Sequence, residues 1–596
     1  MPPPRLLLVA VAVAVTTVAA AAAEEEAAVG GSVDALRVRT RAGWVRGTAM
    51  RTAHGRFFRA FRGVPYAEAP VGERRFRPPA DKRPWEGTLD ALREGAPCLQ
   101  VSHLNLSESG SEDCLFLNVY AHVGAENHPV LVYMHGGSFL EGHGGLRFVE
   151  PQLLMEHDLL LVSFNYRLGP FGFLSTEDAA MPGNYGLKDA LAALRWVRAN
   201  AGAFGGDAGR MTLAGASAGA AAAHLLALAP PAARLLRGVL LSSGGALSRW
   251  ALAPPGTRSA RRVAPLVACD RAAPSAALAR CLRDADAHAL LRTYHALRPA
   301  AVPPLFAPVV EHASWSSGEG EGAGEGEERL VAAPVAQLVR RGAAVPILAG
   351  VTSDESLEWG RNLRAAVRQE AFEDAFLDEE IAKICPVRVR RGLVGRLRRF
   401  YLGGASGARG QLFSEANASA LFSDALFNYP AYRALALQAA SGRAPAYFYV
   451  FGFPGRVSET ARRGGPVGGV VHGDDLLYVL GRQFPAPAGW PNATEQRVAE
   501  LLAAVWATFA REARPAPPQL EELWEPAAGP GDDFRFLQID ERARVRRGPP
   551  FRKRMEFWEK LRQLEPSAAI TRESPFLLAL AVPAVATLLA IRRVVC

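Results

Sequence analysis

Gly215-Ala216-Ser217-Ala218-Gly219 sets one serine between two glycines. An apolar run from Met211 to Ala214 leads into it, and an alanine-rich, helix-forming run from Ala220 to Leu228 leads out. Strand, sharp turn and helix is the setting in which a G-x-S-x-G serine is held as a nucleophile. The glycines let strand and helix pass close to one another around it. A serine hydroxyl attacks a carbonyl only if a base takes its proton and donors stabilise the oxyanion that forms. The rest of the chain must therefore supply a histidine, an acid to orient it, and an oxyanion pocket.

Each has a candidate. His135-Gly136-Gly137-Ser138-Phe139 follows the apolar run Val130–Met134, and its glycines free the backbone N–H groups of Gly136 and Gly137 to face a substrate oxygen. The N–H of Ala218, next after the serine, would be a third donor. Of the 12 histidines, most precede the serine, His224 falls in the helix after it, and His288, His295 and His312 fall in a weakly patterned middle. An order of nucleophile, acid, histidine selects His472, in Gly469-Val-Val-His-Gly-Asp-Asp475. The acid is Glu355 or its neighbour Asp354, in the loop after Pro346–Gly350, and local pattern does not choose between them. Asp474 and Asp475, so close to His472 in sequence, are expected to pair locally.

The elements that must position these residues are also legible. Val130–Met134, Leu159–Phe164, Met211–Ala214, Leu236–Ser243, Pro346–Gly350 and Ala446–Phe451 read as buried strands. Tyr185–Ala201 has helical spacing through Leu187, Ala190, Leu194 and Val197, and Glu495–Arg514 is a late amphipathic helix. Buried strands alternating with helices predict a mostly parallel sheet covered on both faces. Arg258–Arg298 and Glu370–Tyr401 read as helical, and Ser316–Glu328 as a Gly/Glu-rich surface loop.

With 596 residues, 49% hydrophobic and 21% charged, the chain is of globular composition. Its net charge of +9 comes from scattered arginines, with no dense basic run interleaved with aromatics, so no nucleic-acid partner is expected. Residues 1–23 read as a secretory signal peptide with cleavage near Ala20–Ala23. In an oxidising compartment the six cysteines suggest two local pairs, Cys98 with Cys114 and Cys269 with Cys281, with connectivity open and Cys385 and Cys596 unassigned. Sequons stand at Asn105, Asn417 and Asn492. Residues 574–596 include an apolar run, Phe576–Ile591, followed by Arg592-Arg593. This predicts a membrane anchor on the external face of the cell, either a single-pass helix or a glycolipid-attachment signal. If the tail is not an anchor, the protein is secreted.

Across residues 33–560 the chain resembles the type-B carboxylesterase, or cholinesterase-like, family, closest in character to arthropod carboxylesterases. The resemblance rests on ordered motifs: Phe61-Arg-Gly-Val-Pro-Tyr-Ala67, Ser111-Glu-Asp-Cys-Leu-Phe-Leu-Asn118, His135-Gly-Gly-Ser-Phe139, Asn165-Tyr-Arg-Leu-Gly-Pro-Phe-Gly-Phe-Leu174, Asn184-Tyr-Gly-Leu-Lys-Asp189, Phe204-Gly-Gly-Asp207 and His472-Gly-Asp-Asp-Leu476. It implies an α/β-hydrolase fold with a large, mostly parallel central sheet flanked by helices. It implies Ser217 as nucleophile, Glu355 as acid, His472 as base, both disulfides, a small-molecule ester substrate, and no metal or organic cofactor. It leaves the oligomeric state open.

Two departures bear on the substrate. Ala216 precedes the serine where cholinesterases usually have Glu, and the loop Leu99–Asp113 is short and lacks Trp, Tyr and Phe to stack on a quaternary ammonium. Hydrophobic carboxylic esters rather than choline esters are the expected substrates. The alternative is a non-catalytic adhesion ectodomain, a role that some relatives lacking triad members have. The complete triad here favours the hydrolase.

Overall fold

Short apolar runs bounded by glycine, proline and asparagine build one large twisted sheet. Its strands in chain order are β1 (Thr48–Arg51), β2 (Phe57–Pro65), β3 (Phe116–His122), β4 (His128–Met134), β5 (Leu160–Phe164), β6 (Gly206–Ala216), β7 (Gly238–Ser242), β8 (Ile347–Thr352), β9 (Ala446–Phe451), β10 (Arg535–Ile539) and β11 (Ala543–Arg547). The spatial order is β11-β10-β9-β8-β7-β6-β4-β5-β3-β2-β1. The computed structural model of the chain describes residues 33–102, 107–297, 304–312, 328–357, 391–402, 414–462, 468–481 and 489–563. Residues 1–555 form one unit; of the second, 556–596, only the helical stretch 556–563 is described.

Strands β4 to β10 run parallel. Strands β5, β7, β8 and β9 are buried along their whole length, as expected where helices cover both faces. The flanks depart from the parallel pattern: β1, β2 and β3 at one edge and β11 at the other pair antiparallel. Helix α1 (Tyr185–Asn200) precedes β6, and α2 (Ala218–Leu228) starts directly at its end. Later helices include α3 (Tyr429–Ser441), α4 (Asp474–Val479) and α5 (Ala493–Glu512). Helix α5 begins with a capping box in which Asn492 Oδ1 accepts from the N–H groups of Thr494 and Glu495, both at 2.9 Å, while Glu495 returns a bond to the Asn492 N–H at 2.8 Å. Its apolar face, with Leu502, Val505, Trp506 and Phe509, is buried in the same core as Leu131, Ala214 and Leu240 of β4, β6 and β7.

The basic middle segment forms the helices Ser259–Val263, Ser275–Asp284 and Ala287–Leu297. Cys98 is bonded to Cys114 and Cys269 to Cys281, which gives both suggested pairings. The signal peptide 1–23, the apolar tail 574–596, Asn105, Cys385, and residues 370–390 of the helical segment expected at Glu370–Tyr401 lie outside the described residues. So does all of the Gly/Glu-rich loop except Glu328. Among the described residues no helix is long and apolar enough to cross a membrane.

Candidate active site

In a parallel sheet, loops that leave the carboxyl ends of the strands meet at one edge. Here β4 ends at Met134 before the His135–Gly137 loop, β6 at Ala216 before Ser217, β7 at Ser242 before Ser243, and β8 at Thr352 before Asp354 and Glu355. Residues far apart in sequence are therefore neighbours because their strands are.

Ser217 occupies the turn between β6 and α2 with φ +53° and ψ −121°. That backbone is costly for a residue with a Cβ, by about 1–3 kcal/mol, and persists only where the surroundings enforce it. Three features enforce it. The Ser217 N–H donates to the Ser242 carbonyl at 2.8 Å, and the Ala221 N–H donates to the Ser217 carbonyl at 3.0 Å. Gly215 and Gly219 lie so close to each other across the turn that a Cβ on Gly215 would collide with the Gly219 backbone. A Cβ on Gly219 would in turn strike the Met134 and His135 carbonyls.

The Gly136 backbone lies directly on this turn. A Cβ there would stand 2.6 Å from the Ala216 oxygen and 2.9 Å from Ser217 Cβ. Gly137 has φ +113°, a conformation that favours glycine. Among the described residues the N–H groups of Gly136 and Gly137 donate to no protein oxygen. Ala218 is the first residue of α2, so its N–H has no partner within the helix. The loop is fixed from behind: the His135 ring stacks on Tyr166 at 4.5 Å, and the Tyr166 hydroxyl donates to the His135 carbonyl at 2.8 Å. Gln100 binds both the N–H and the carbonyl of Gly142, at 2.7 and 3.2 Å.

His472 Nδ1 lies 2.6 Å from Glu355 Oε2. A carboxylate can only accept, so Nδ1 carries a proton, and in the neutral ring Nε2 is left as the acceptor. Glu355 is buried, and its other oxygen accepts from the Thr352 N–H at 2.8 Å and from Ser243 Oγ at 2.5 Å. Among the described residues the adjacent Asp354 makes no hydrogen bond to the imidazole. It accepts from Ser353 Oγ at 2.7 Å and from the Val470 N–H at 3.2 Å, joining its loop to the one that carries His472. Among the described residues no hydrogen bond joins Ser217 Oγ to His472; in sites without a bound substrate such contacts are often long and tighten only on binding.

Sequence reasoning passed over one ring that lies against the imidazole and a second that packs behind it. Phe427 lies with its ring 4.6 Å from that of His472, and Trp250 packs on Phe427 at 5.6 Å. Phe427 is presented by a single π-helical turn, Asp424–Asn428, an irregularity often found at functional sites. Asp474 does pair locally, accepting from the N–H groups of Glu459 and Val471 at 2.7 and 2.8 Å. Asp475 does not, reaching Ser242 and Tyr449 instead. Among the described residues no group of three or more His, Cys, Asp or Glu could hold a metal ion. Asn417 and Asn492 are exposed at helix starts.

His224, on α2, is fully buried, and its Nδ1 accepts from the Ala246 N–H at 3.2 Å. Burial pushes its pKa down to about 4. An unfolded histidine titrates near 6.5, so the unfolded chain gains the proton first, and stability present above that pH is lost as pH falls toward 4. At pH 5 the loss from this residue is about 2 kcal/mol. Chemical denaturation at pH 7.5 and pH 5 should show that loss, and His224→Gln, which keeps an acceptor but does not titrate, should flatten it. An equally steep decline in the variant would remove His224 as the cause.

A family model for the carboxylesterase family matches residues 34–558. Esterase FE4 of Myzus persicae is 31% identical over 534 residues, covering 84% of this chain and 89% of that protein. Juvenile hormone esterase of Tribolium castaneum is 31% identical over 521 residues, covering 81% and 84%. The crystal structure of juvenile hormone esterase from Manduca sexta, with OTFP covalently attached, matches with a TM-score of 0.76 at 27% identity. That match covers 89% of this chain and 99% of the other.

Proposed function

The chain belongs to the carboxylesterase family and is a carboxylic ester hydrolase of α/β-hydrolase fold, and from that premise we propose that it is a serine esterase for hydrophobic carboxylic esters, working through Ser217, Glu355 and His472. The observation that carries the reading is the 2.6 Å contact of Glu355 with His472, at the same sheet edge as the strained Ser217 turn. Ser217 Oγ attacks the ester carbonyl while His472 Nε2 takes its proton. The N–H groups of Gly136, Gly137 and Ala218 receive the oxyanion, worth roughly 2.7–4 kcal/mol per donor in comparable sites. Collapse of the tetrahedral intermediate returns the proton from His472 to the departing alkoxide oxygen. Water then attacks the acyl-enzyme by the same path in reverse and releases the acid. Glu355 fixes the imidazole tautomer and stabilises the imidazolium.

The apolar wall of Phe427 and Trp250 beside His472 supports hydrophobic substrates. Juvenile hormone esterases among the relatives and solved structures point the same way. Ala216 and the short, aromatic-free loop Leu99–Asp113 count against choline esters. Two disulfides suit passage through the secretory pathway.

A fluorophosphonate probe should label Ser217 covalently in the folded protein; a peptide map with Ser217 unlabelled would overturn the catalytic reading. Naphthyl and p-nitrophenyl esters should turn over faster than acetylthiocholine, and the reverse order would overturn the substrate reading alone.

A further inference from the structure

A second carboxyl group is buried behind the proposed triad. Asp475, in the first turn of α4, is fully buried. Its Oδ2 accepts from Ser242 Oγ at 2.7 Å and from the Tyr449 hydroxyl at 2.9 Å. Its Oδ1 is buried with no hydrogen-bond partner among the described residues. Ser242 is the residue whose carbonyl holds the Ser217 N–H, and Ser243, next in sequence, donates to Glu355. Two consecutive serines at the end of β7 thus each hold one of two buried carboxyl groups.

The donors around the two groups differ in kind. Glu355 accepts from a backbone N–H, which cannot reverse its role, and faces the imidazole that becomes cationic during the reaction. Asp475 is held only by hydroxyl groups, and a hydroxyl accepts as readily as it donates. A proton on Asp475 is therefore accommodated by reorienting Ser242 or Tyr449, with no heavy atom moved. Among the described residues, the charged and titratable groups that bear on Asp475 are Glu355, His472 and Tyr449, with no Lys or Arg among them. An anion there would leave a bare buried oxygen and stand against a second anion, the arrangement in which one of two carboxyl groups keeps its proton. Burial, with Glu355 adding in the same direction, raises its pKa against the opposing pull of the Ser242 and Tyr449 hydroxyl bonds and of His472.

We propose that Asp475 is a positioning residue held as a neutral carboxylic acid, tying the strand that anchors Ser217 to the helix behind His472 and leaving Glu355 the single anion against the imidazole. The inference rests on the triad reading for its catalytic consequence, but the proton itself can be read without activity.

A difference infrared spectrum of wild type minus Asp475→Asn at pH 7.5 should contain a protonated-carboxyl C=O band. Finding only carboxylate bands would overturn the proposal even if the triad reading stands. In kcat/KM against pH with p-nitrophenyl acetate, Asp475→Asn should stay within about threefold of wild type with its acid limb unmoved. Removing a real negative charge there would shift that limb to lower pH by half a unit or more, which would also overturn it. Asp475→Leu, which fills the space but cannot bond Ser242, should lose at least tenfold in kcat with little change in KM. Full activity in that variant would show that the tether does nothing.

Discussion

Replacing Ser217 with alanine is expected to lower kcat by ~10⁴- to 10⁶-fold, with thermal stability unchanged within a few degrees and fluorophosphonate labelling abolished. The magnitude follows from the division of labour at the sheet edge. Once the hydroxyl is gone, His472 has no nucleophile to activate, so its removal in addition should cost almost nothing more, as in other units that act together. On the proposed mechanism, binding and oxyanion stabilisation by Gly136, Gly137 and Ala218 would survive and keep the variant above the rate in water. The fold should be indifferent because the contacts that enforce the turn are backbone contacts: the Ser217 N–H to Ser242, the Ala221 N–H to Ser217, and the close passage of Gly215 and Gly219. Alanine keeps all of them and carries the same Cβ. Measured activity within a hundredfold of wild type would mean that another group performs the attack.

How much of this was legible from sequence depends on whether the signal is local. Ala446–Phe451 is a strand because aromatic and β-branched residues succeed one another, and the structure gives the same bounds. The Ser217 turn was readable because glycine is required at fixed offsets by a close approach. Strand β3 was not read: Phe116-Leu-Asn-Val-Tyr-Ala-His122 carries a buried Asn118, whose amide is satisfied by Gly144 and Ser163 from elsewhere in the chain. A polar residue paired across long sequence separation removes the apolar run that periodicity detects. The same cause hid Ser242, Ser243 and Asp475. Nothing in Leu240-Leu-Ser-Ser-Gly244 says that its two hydroxyls reach two carboxyl groups more than a hundred residues away. Phe427 was hidden differently, since a single π-helical turn shifts the face on which a helical residue emerges, and composition does not announce it.

The pair Asp354 and Glu355 gives the sharpest test of what geometry adds to pattern, because adjacent carboxyl groups on one loop are equivalent to any reading of composition. Glu355→Gln is expected to lower kcat by about 10³- to 10⁴-fold, the scale seen when the carboxylate of such a triad becomes an amide. Gln can turn its NH₂ toward His472 Nδ1, which selects the wrong tautomer, and it brings no charge to offset the imidazolium. In that orientation its oxygen stays where it accepts from the Thr352 N–H and Ser243 Oγ, so the site is not emptied. Asp354→Asn should cost no more than a few-fold, because the bonds from Ser353 and Val470 also need only an oxygen, and Asn has one. The two variants differ by a single position and by one methylene in the parent side chain, yet their steady-state kcat values should be separated by two orders of magnitude or more. If Asp354→Asn fell as far as Glu355→Gln, the acid would not be assigned by its contact with His472, and the loop between β8 and the imidazole would have to be acting as a unit instead.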